Sequence, residues 1–246
     1  MLLLHSIAAH GHWWDGVAPR LAERAHVVAL DFRGHGGSAW APDGAYPFAD
    51  YVADALAALG ALSWRAPLVI GHSLGGYVAA LVAARHPMKV GAVVIADMLT
   101  GWSDEMAARA RRQAERPAAT FPSAAAAAAA FRLAPPETRA SAATLAHLAE
   151  AGVVERRPGQ WEWAFDRRVL LHPPIDPWPF LGSVLCPALV VRGEGSALMS
   201  RDQMLRVAAS VRQGRFTEVK GAYHHLVLDD PAAFADVVTG WAPIRG

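Results

Sequence analysis

The segment Gly71–Gly76, which reads Gly-His-Ser-Leu-Gly-Gly, constrains the fold of this chain more than any other feature. It follows the apolar run Leu68–Ile70 and leads into the apolar stretch 77–81, a pattern that predicts a strand, a sharp turn and a helix. The small residues around the serine allow a tight turn, and such a turn holds Ser73 in a strained conformation with its hydroxyl exposed. Ser73 is therefore the candidate nucleophile of the chain.

Short apolar runs that end in turn residues recur along the chain, and helical patterns follow them. Buried runs that alternate with helices indicate an α/β fold, with a mostly parallel central sheet covered by helices on both faces. Ligands of such sheets bind beyond the carboxyl ends of the strands, where Ser73, Asp97, Glu194 and the loop holding His224 fall. The predicted strands are Leu2–Leu4, Val27–Leu30, Leu68–Ile70, Val90–Ala96, Ala188–Val191 and Phe216–Val219.

The alternation of strands and helices breaks between residues 98 and 185. This segment predicts helices over Asp104–Glu115, Ser123–Leu133 and Ser141–Ala151, and the alternating aromatic run Trp161–Phe165 is typical of a short strand. An insertion of this size above the strand ends is expected to act as a mainly helical cap or lid. We therefore predict a core formed by residues 1–97 and 186–246, with residues 98–185 as the cap.

The composition argues against several classes of function. A formal net charge of +1 without a basic stretch disfavours nucleic acid as a partner. The single cysteine, Cys186, excludes an intrachain disulfide and is typical of a reducing cytoplasm. The apolar start of the chain is too short for a signal peptide, and no run approaches the length of a membrane span. We expect a cytoplasmic protein with a small-molecule substrate and no membrane partner; the sequence leaves a homodimer open.

Three further motifs accompany the serine turn and the insertion. They are His5-Ser6 after the first predicted strand, the run 31–38 (Asp-Phe-Arg-Gly-His-Gly-Gly-Ser) after the second, and Gly221-Ala222-Tyr223-His224-His225 with Asp229-Asp230-Pro231. With these motifs the chain resembles the α/β-hydrolase superfamily over nearly its whole length. The resemblance implies a small, capped serine hydrolase that uses neither a cofactor nor a metal.

Two features depart from the family pattern. Ser6 stands where the family usually has glycine after the histidine of the first strand. The family also usually has two antiparallel strands before that histidine, whereas this chain starts four residues before His5. Either those strands are missing or the true start lies upstream of Met1. If they are missing, Val27–Leu30 becomes an edge strand with unpaired backbone groups.

The resemblance assigns the base to His224. A serine hydroxyl is a poor nucleophile at neutral pH and needs a base within hydrogen-bond reach. In the family this histidine lies seven residues before the proline that starts the last helix, which is Pro231 here. His225, the neighbouring histidine, is the alternative and is expected to pack or to line the rim of the site.

The acid that orients the base has two candidates. In most of the superfamily it lies three residues after the glycine written here as Gly193, but that position is Ser196, which cannot serve. Asp97 ends an earlier strand, and some similar family members move the acid to that place. Glu194 directly follows Gly193 and is the alternative. We favour Asp97, because the order Ser, acid, His is then preserved.

The remaining site residues follow from the same resemblance. The oxyanion hole needs two backbone amides, which Leu74 and Ile7 are expected to supply. Aromatic and imidazole side chains near the first loop and in the cap indicate a largely apolar pocket. Its expected members are His5, His10, Trp13, Trp102 and Trp163.

The implied reaction is hydrolysis of a small, largely apolar ester or related acyl compound through an acyl-enzyme. Hydrolysis of a C–C bond and perhydrolysis on the same three residues are the nearest alternatives. A ligand-binding protein that kept the fold without turnover is an alternative of a different class. Dehalogenases and epoxide hydrolases are disfavoured, because those relatives carry aspartate where this chain has Ser73.

Overall fold

The computed structural model describes residues 1–171 and 175–242, with a six-stranded sheet at its centre. The sheet order is β2-β1-β3-β4-β7-β8 and each neighbouring pair is parallel, as the buried apolar runs predict. A separate antiparallel pair is formed by β5 and β6. The strands are β1 (Leu2–Leu4), β2 (Val28–Leu30), β3 (Leu68–His72), β4 (Ala92–Ala96), β5 (Val153–Arg157), β6 (Gln160–Trp163), β7 (Ala188–Gly193) and β8 (Gly214–Val219).

The register of the sheet brings the carboxyl ends of its central strands together. His72 of β3 pairs with Ala96 of β4, and Ala96 pairs with Val191 of β7. Because the strands are parallel, the residues that follow them emerge at the same edge. The strand order also reverses at β1, and crevices at such a reversal are where ligands of open α/β sheets bind.

Helices cover both faces of the sheet. Leu2 and Leu4 of β1 pack into the cluster that includes α2, α3, α7 and α8, whereas Leu3 packs into the cluster that includes α1, α9 and α10. This alternation is the period of a strand whose two faces are both buried. The helices are α1 (Ala18–Ala22), α2 (Phe48–Leu62), α3 (Leu74–Arg85), α4 (Asp104–Glu115), α5 (Ala124–Ala129), α6 (Ala142–Ala151), α7 (Trp178–Leu181), α8 (Arg201–Ser210), α9 (Leu226–Asp229) and α10 (Pro231–Trp241), with 3₁₀ helices at Gly11–Trp14, Pro87–Lys89 and Arg167–Leu171.

The insertion between β4 and β7 contains α4, α5, α6 and the β5–β6 hairpin. A serine side chain caps the start of each of these three helices, at Ser103, Ser123 and Ser141. The helix predicted over Ser123–Leu133 ends early, because α5 stops at Ala129. The amides of Ala130 and Phe131 bond to the carbonyls of Ala127 and Ala128, three residues back, as at a tightened helix end.

The predicted division of the chain includes segments that the structure does not describe. Residues 172–174 of the predicted cap and residues 243–246 of the predicted core lie outside the described residues. Near the end of the insertion, Leu181 of α7 is buried in the same cluster as α3 and α8. Among the described residues, no helix combines the length and the hydropathy needed to cross a membrane.

Candidate active site

Ser73 lies on the turn between β3 and α3, at the carboxyl edge of the sheet. Its φ of 53° falls in the left-handed region that non-glycine residues rarely adopt, so this turn stores the strain expected of it. Its amide donates a 2.8 Å hydrogen bond to the carbonyl of Ala96 at the end of β4. Gly75 is required close by, because a Cβ atom there would collide with the carbonyl oxygen of Leu4.

Asp97 directly follows β4 and is fully buried, with a φ of 45°. Its carboxylate accepts three hydrogen bonds. Oδ2 accepts from the amide of Gly193 at 2.9 Å, and Oδ1 accepts from the hydroxyl of Ser196 at 2.6 Å. The third donor is Nδ1 of His224, which lies 2.8 Å from Oδ1. A buried carboxylate needs such partners, because burial without them strongly disfavours its charge.

His224 lies in the loop between β8 and α9 and is also buried. Because its Nδ1–H donates to Asp97, its Nε2 keeps a lone pair that can accept a proton. The ring of His72, the residue before Ser73, lies 4.9 Å from the His224 ring, and Nε2 of His72 donates to the His224 carbonyl at 2.8 Å. The end of β3 is thus tied directly to the loop that carries His224.

Burial shifts the protonation of this pair. Burial raises the pKa of Asp97, while the hydrogen bonds from Ser196 and Gly193 lower it in part. Burial lowers the pKa of His224 below the ordinary value of 6.5, so its imidazole is neutral at neutral pH. A neutral imidazole with a fixed tautomer is the state that a general base requires.

The structure separates the two candidate acids. Glu194 is exposed, and its carboxylate accepts a 2.7 Å hydrogen bond from the amide of Gly221, so it braces the loop before His224. Asp97 is the carboxylate that contacts His224. Sequence reasoning missed the contribution of Ser196, which it treated only as the absence of an acid. The signal was available: a hydroxyl at that position can donate to a carboxylate on the neighbouring strand.

His225 faces away from Asp97 and towards the insertion. Its Nε2 donates to the carbonyl of Pro135 at 2.8 Å, and its ring lies 5.4 Å from that of Trp13. The packing role expected for His225 agrees with these contacts.

Comparison with known proteins identifies the family. The sequence model of the α/β-hydrolase fold matches residues 1–231. The chain belongs to the α/β-hydrolase family. Esterase Rv0045c of Mycobacterium tuberculosis is 28% identical over 252 residues, which cover 98% of this chain and 81% of that protein. A crystal structure of that esterase has a TM-score of 0.79.

Two other relatives define how far the similarity extends. The structure of E-2-(acetamidomethylene)succinate hydrolase is 25% identical, with a TM-score of 0.84, and the alignment covers 98% of this chain and 90% of that one. A serine hydrolase-like protein of Danio rerio is 41% identical over 98 residues, or 39% of this chain. The chain spans 30% of that protein and 28% of a second serine hydrolase-like protein, from Dictyostelium discoideum.

The α/β-hydrolase motif at residues 31–38 holds the loop that contains Ile7. Asp31 accepts from the amide of Gly11 at 2.6 Å, and Nε2 of His35 accepts from the amide of Ala8 at 3.1 Å. The amide of Ile7 has no hydrogen-bond partner among the described residues. Leu74, the other residue expected at the oxyanion hole, is the first residue of α3, where helix amides lack internal partners.

The expected pocket residues occupy different surroundings. His5 is fully buried: its Nδ1 donates to the carbonyl of Ser6 at 2.6 Å and its Nε2 accepts from the amide of Phe32 at 3.1 Å. Its ring therefore holds two loops together, and its position does not support contact with a substrate. His10 is likewise engaged, since its Nε2 donates to the carbonyl of Leu148 at 3.1 Å.

The three tryptophans are also distributed differently. Trp13 packs against the rings of His225 and of His72, the residue before Ser73. Trp102 is partly buried against the core cluster that includes α3. Trp163 lines a cavity of about 190 Å³ whose lining residues do not include Ser73.

Proposed function

We propose that this α/β-hydrolase is a serine hydrolase in which Ser73 is the nucleophile, His224 the base and Asp97 the orienting acid. The observation that carries the proposal is the buried 2.8 Å contact between His224 and Asp97 at the sheet edge where the strained turn presents Ser73. The extra donors from Ser196 and Gly193 support this assignment, because they fix the Asp97 carboxylate towards His224.

The proposed reaction has two steps. First, Oγ of Ser73 attacks the acyl carbon of the substrate, and its proton passes to Nε2 of His224. The oxyanion that forms is stabilised by the amides of Ile7 and Leu74, and its collapse expels the alcohol, which takes the proton from His224. Water then attacks the acyl-enzyme by the same route and releases the acid. The catalytic hydrogen bond between the Ser73 hydroxyl and Nε2 of His224 is one that often tightens only with substrate bound.

The proposed substrate is a small, largely apolar ester or related acyl compound. Trp13, packed beside His72 and His225, gives the surroundings of Ser73 an aromatic and apolar character. The similarity to Esterase Rv0045c over 98% of this chain supports ester hydrolysis as the reaction class.

Labelling with a fluorophosphonate probe tests the proposal, because such probes phosphonylate an activated serine and leave an ordinary serine hydroxyl unmodified. We expect wild-type protein to be labelled and the Ser73→Ala variant to be unlabelled. A panel of p-nitrophenyl esters of graded acyl length then measures turnover, which Ser73→Ala should reduce by at least about 10³-fold. Unlabelled wild-type protein that binds the esters without turnover would establish the non-catalytic alternative instead.

A further inference from the structure

We infer that His12, Asp15 and His147 form a binding site for a transition-metal dication such as Zn²⁺ or Ni²⁺. Their donor atoms all lie within 4.8 Å of one another. Nδ1 of His12 is 2.8 Å and Nε2 of His147 is 2.7 Å from the same oxygen, Oδ2 of Asp15. Two imidazoles thus already converge on one carboxylate.

The donor set selects the class of ion. Imidazole nitrogen suits Zn²⁺, Ni²⁺ and Cu²⁺, whereas Ca²⁺ and Mg²⁺ require mainly oxygen ligands. Three protein ligands leave the remaining coordination positions to water. Bonds of ~2.0–2.1 Å place tetrahedral donors about 3.3 Å apart, so each imidazole has to move away from Asp15 by about half an ångström.

Exposure allows this small adjustment. All three side chains are exposed, so none is held by core packing and an ion can reach them from solvent. The rings of His12 and His147 meet edge to face, with centroids 5.9 Å apart. Without metal, each imidazole donates an N–H to Asp15. When the ion binds at those nitrogens, each neutral ring carries its proton on its other nitrogen.

The site joins two parts of the chain that are far apart in sequence. His12 and Asp15 belong to the 3₁₀ helix Gly11–Trp14 and the residue after it, whereas His147 lies on α6, 132 residues beyond Asp15. The same two segments already meet where His10 donates to the carbonyl of Leu148. A bound ion would therefore add a coordinate link between the insertion and the segment that follows β1.

Isothermal titration calorimetry with ZnCl₂ tests binding directly, using untagged and chelator-treated full-length protein. We expect one ion per chain and a melting temperature that rises with Zn²⁺ concentration. His147→Ala and Asp15→Asn should each weaken binding by about tenfold or more. MgCl₂ should give no binding heat.

The matched control is His26→Ala, which removes an exposed histidine that is not part of the cluster. It should leave Zn²⁺ affinity unchanged. Unfolding curves without metal establish that each variant is folded. Wild-type protein without binding heat would overturn the inference, and so would equal affinities of wild-type and His147→Ala protein, which would mark the cluster as a hydrogen-bonded surface group only.

Since calorimetry uses no substrate, it decides the metal site even if the chain is not a hydrolase.

Discussion

In the described part of the chain, histidine meets aspartate in two groups, at nearly the same distance but in opposite surroundings. In the first, His224 lies 2.8 Å from Asp97 and the two side chains are 2% and 0% exposed. In the second, His12 and His147 lie 2.8 and 2.7 Å from Asp15, and the exposed fractions are 57%, 54% and 46%. Distance alone therefore does not distinguish a candidate catalytic pair from a surface cluster.

The two groups differ in burial, and the pKa values of their carboxyl groups shift in opposite directions. Burial raises the pKa of Asp97, whereas for Asp15 the hydrogen bonds from His147 and His12 outweigh the slight burial and lower the pKa. An exposed pair of this kind is worth about 0–1 kcal/mol. A buried partner is costly to remove, because the charge left behind has no water to replace it.

The largest expected effect is that of Asp97→Asn. The substitution keeps the shape of the side chain but presents the wrong hydrogen-bonding partner to His224, which favours an unproductive tautomer. By analogy with the serine-protease triad, kcat for ester hydrolysis should fall by about 10³–10⁴-fold with little change in KM. Glu194→Gln is the matched control and should lower kcat far less. A large fall in kcat for Glu194→Gln, without one for Asp97→Asn, would contradict the assignment of Asp97 as the orienting acid.

The pH dependence of the reaction should reflect the burial of the pair. Because burial lowers the pKa of His224 below 6.5, the base stays neutral and active into mildly acidic solution. Activity is lost as the pH falls and the pair of His224 and Asp97 takes up a proton, by about tenfold per pH unit. We expect the acid limb of kcat/KM below pH 6.5, with an apparent pKa that belongs to the coupled pair. An acid limb with an apparent pKa at the ordinary histidine value of 6.5 would show that burial does not lower the pKa of His224.

A smaller effect is expected from Ser196→Ala. The hydroxyl of Ser196 stabilises the ionised form of Asp97, so its loss should raise the pKa of Asp97 and move the acid limb to higher pH. We expect a fall in kcat of about tenfold. Ser200→Ala is the control, because it removes a serine that caps α8 and should leave the pH profile unchanged. Identical pH profiles for wild-type and Ser196→Ala protein would contradict the role given to this hydroxyl.

The smallest effect is expected at the exposed cluster of His12, Asp15 and His147. Asp15→Asn, measured with a chelator present, should leave ester turnover unchanged and alter the free energy of unfolding by less than about 1 kcal/mol. Chemical denaturation and the p-nitrophenyl ester assay measure the two quantities. A loss of ester turnover approaching that of Asp97→Asn would mean that side-chain exposure does not distinguish the Asp15 cluster from the Asp97–His224 pair.

Local patterns in the sequence predicted most of the sheet and the position of the candidate nucleophile. The run Leu68–Ile70 and the glycines after it specify a strand and a tight turn through neighbours a few residues apart, and the structure has that turn. The predicted helix Asp104–Glu115 has the same bounds as α4. The family is confirmed by the match over residues 1–231. The end of α5 was predicted four residues too late, because the helix propensity of alanine favours a helix without specifying where it ends.

The tertiary structure alone decided which side chains meet. Glu194 and Asp97 both follow strands, and only the strand register and the donors from Gly193 and Ser196 turn Asp97 towards His224. No sequence pattern indicated that His147 would reach Asp15, since 132 residues separate them. Sequence periodicity and turn chemistry act over a few residues, whereas burial and partner choice depend on segments brought together by packing. That is why the elements could be predicted, while the hydrogen-bond partners of His5, His10 and His147 could not.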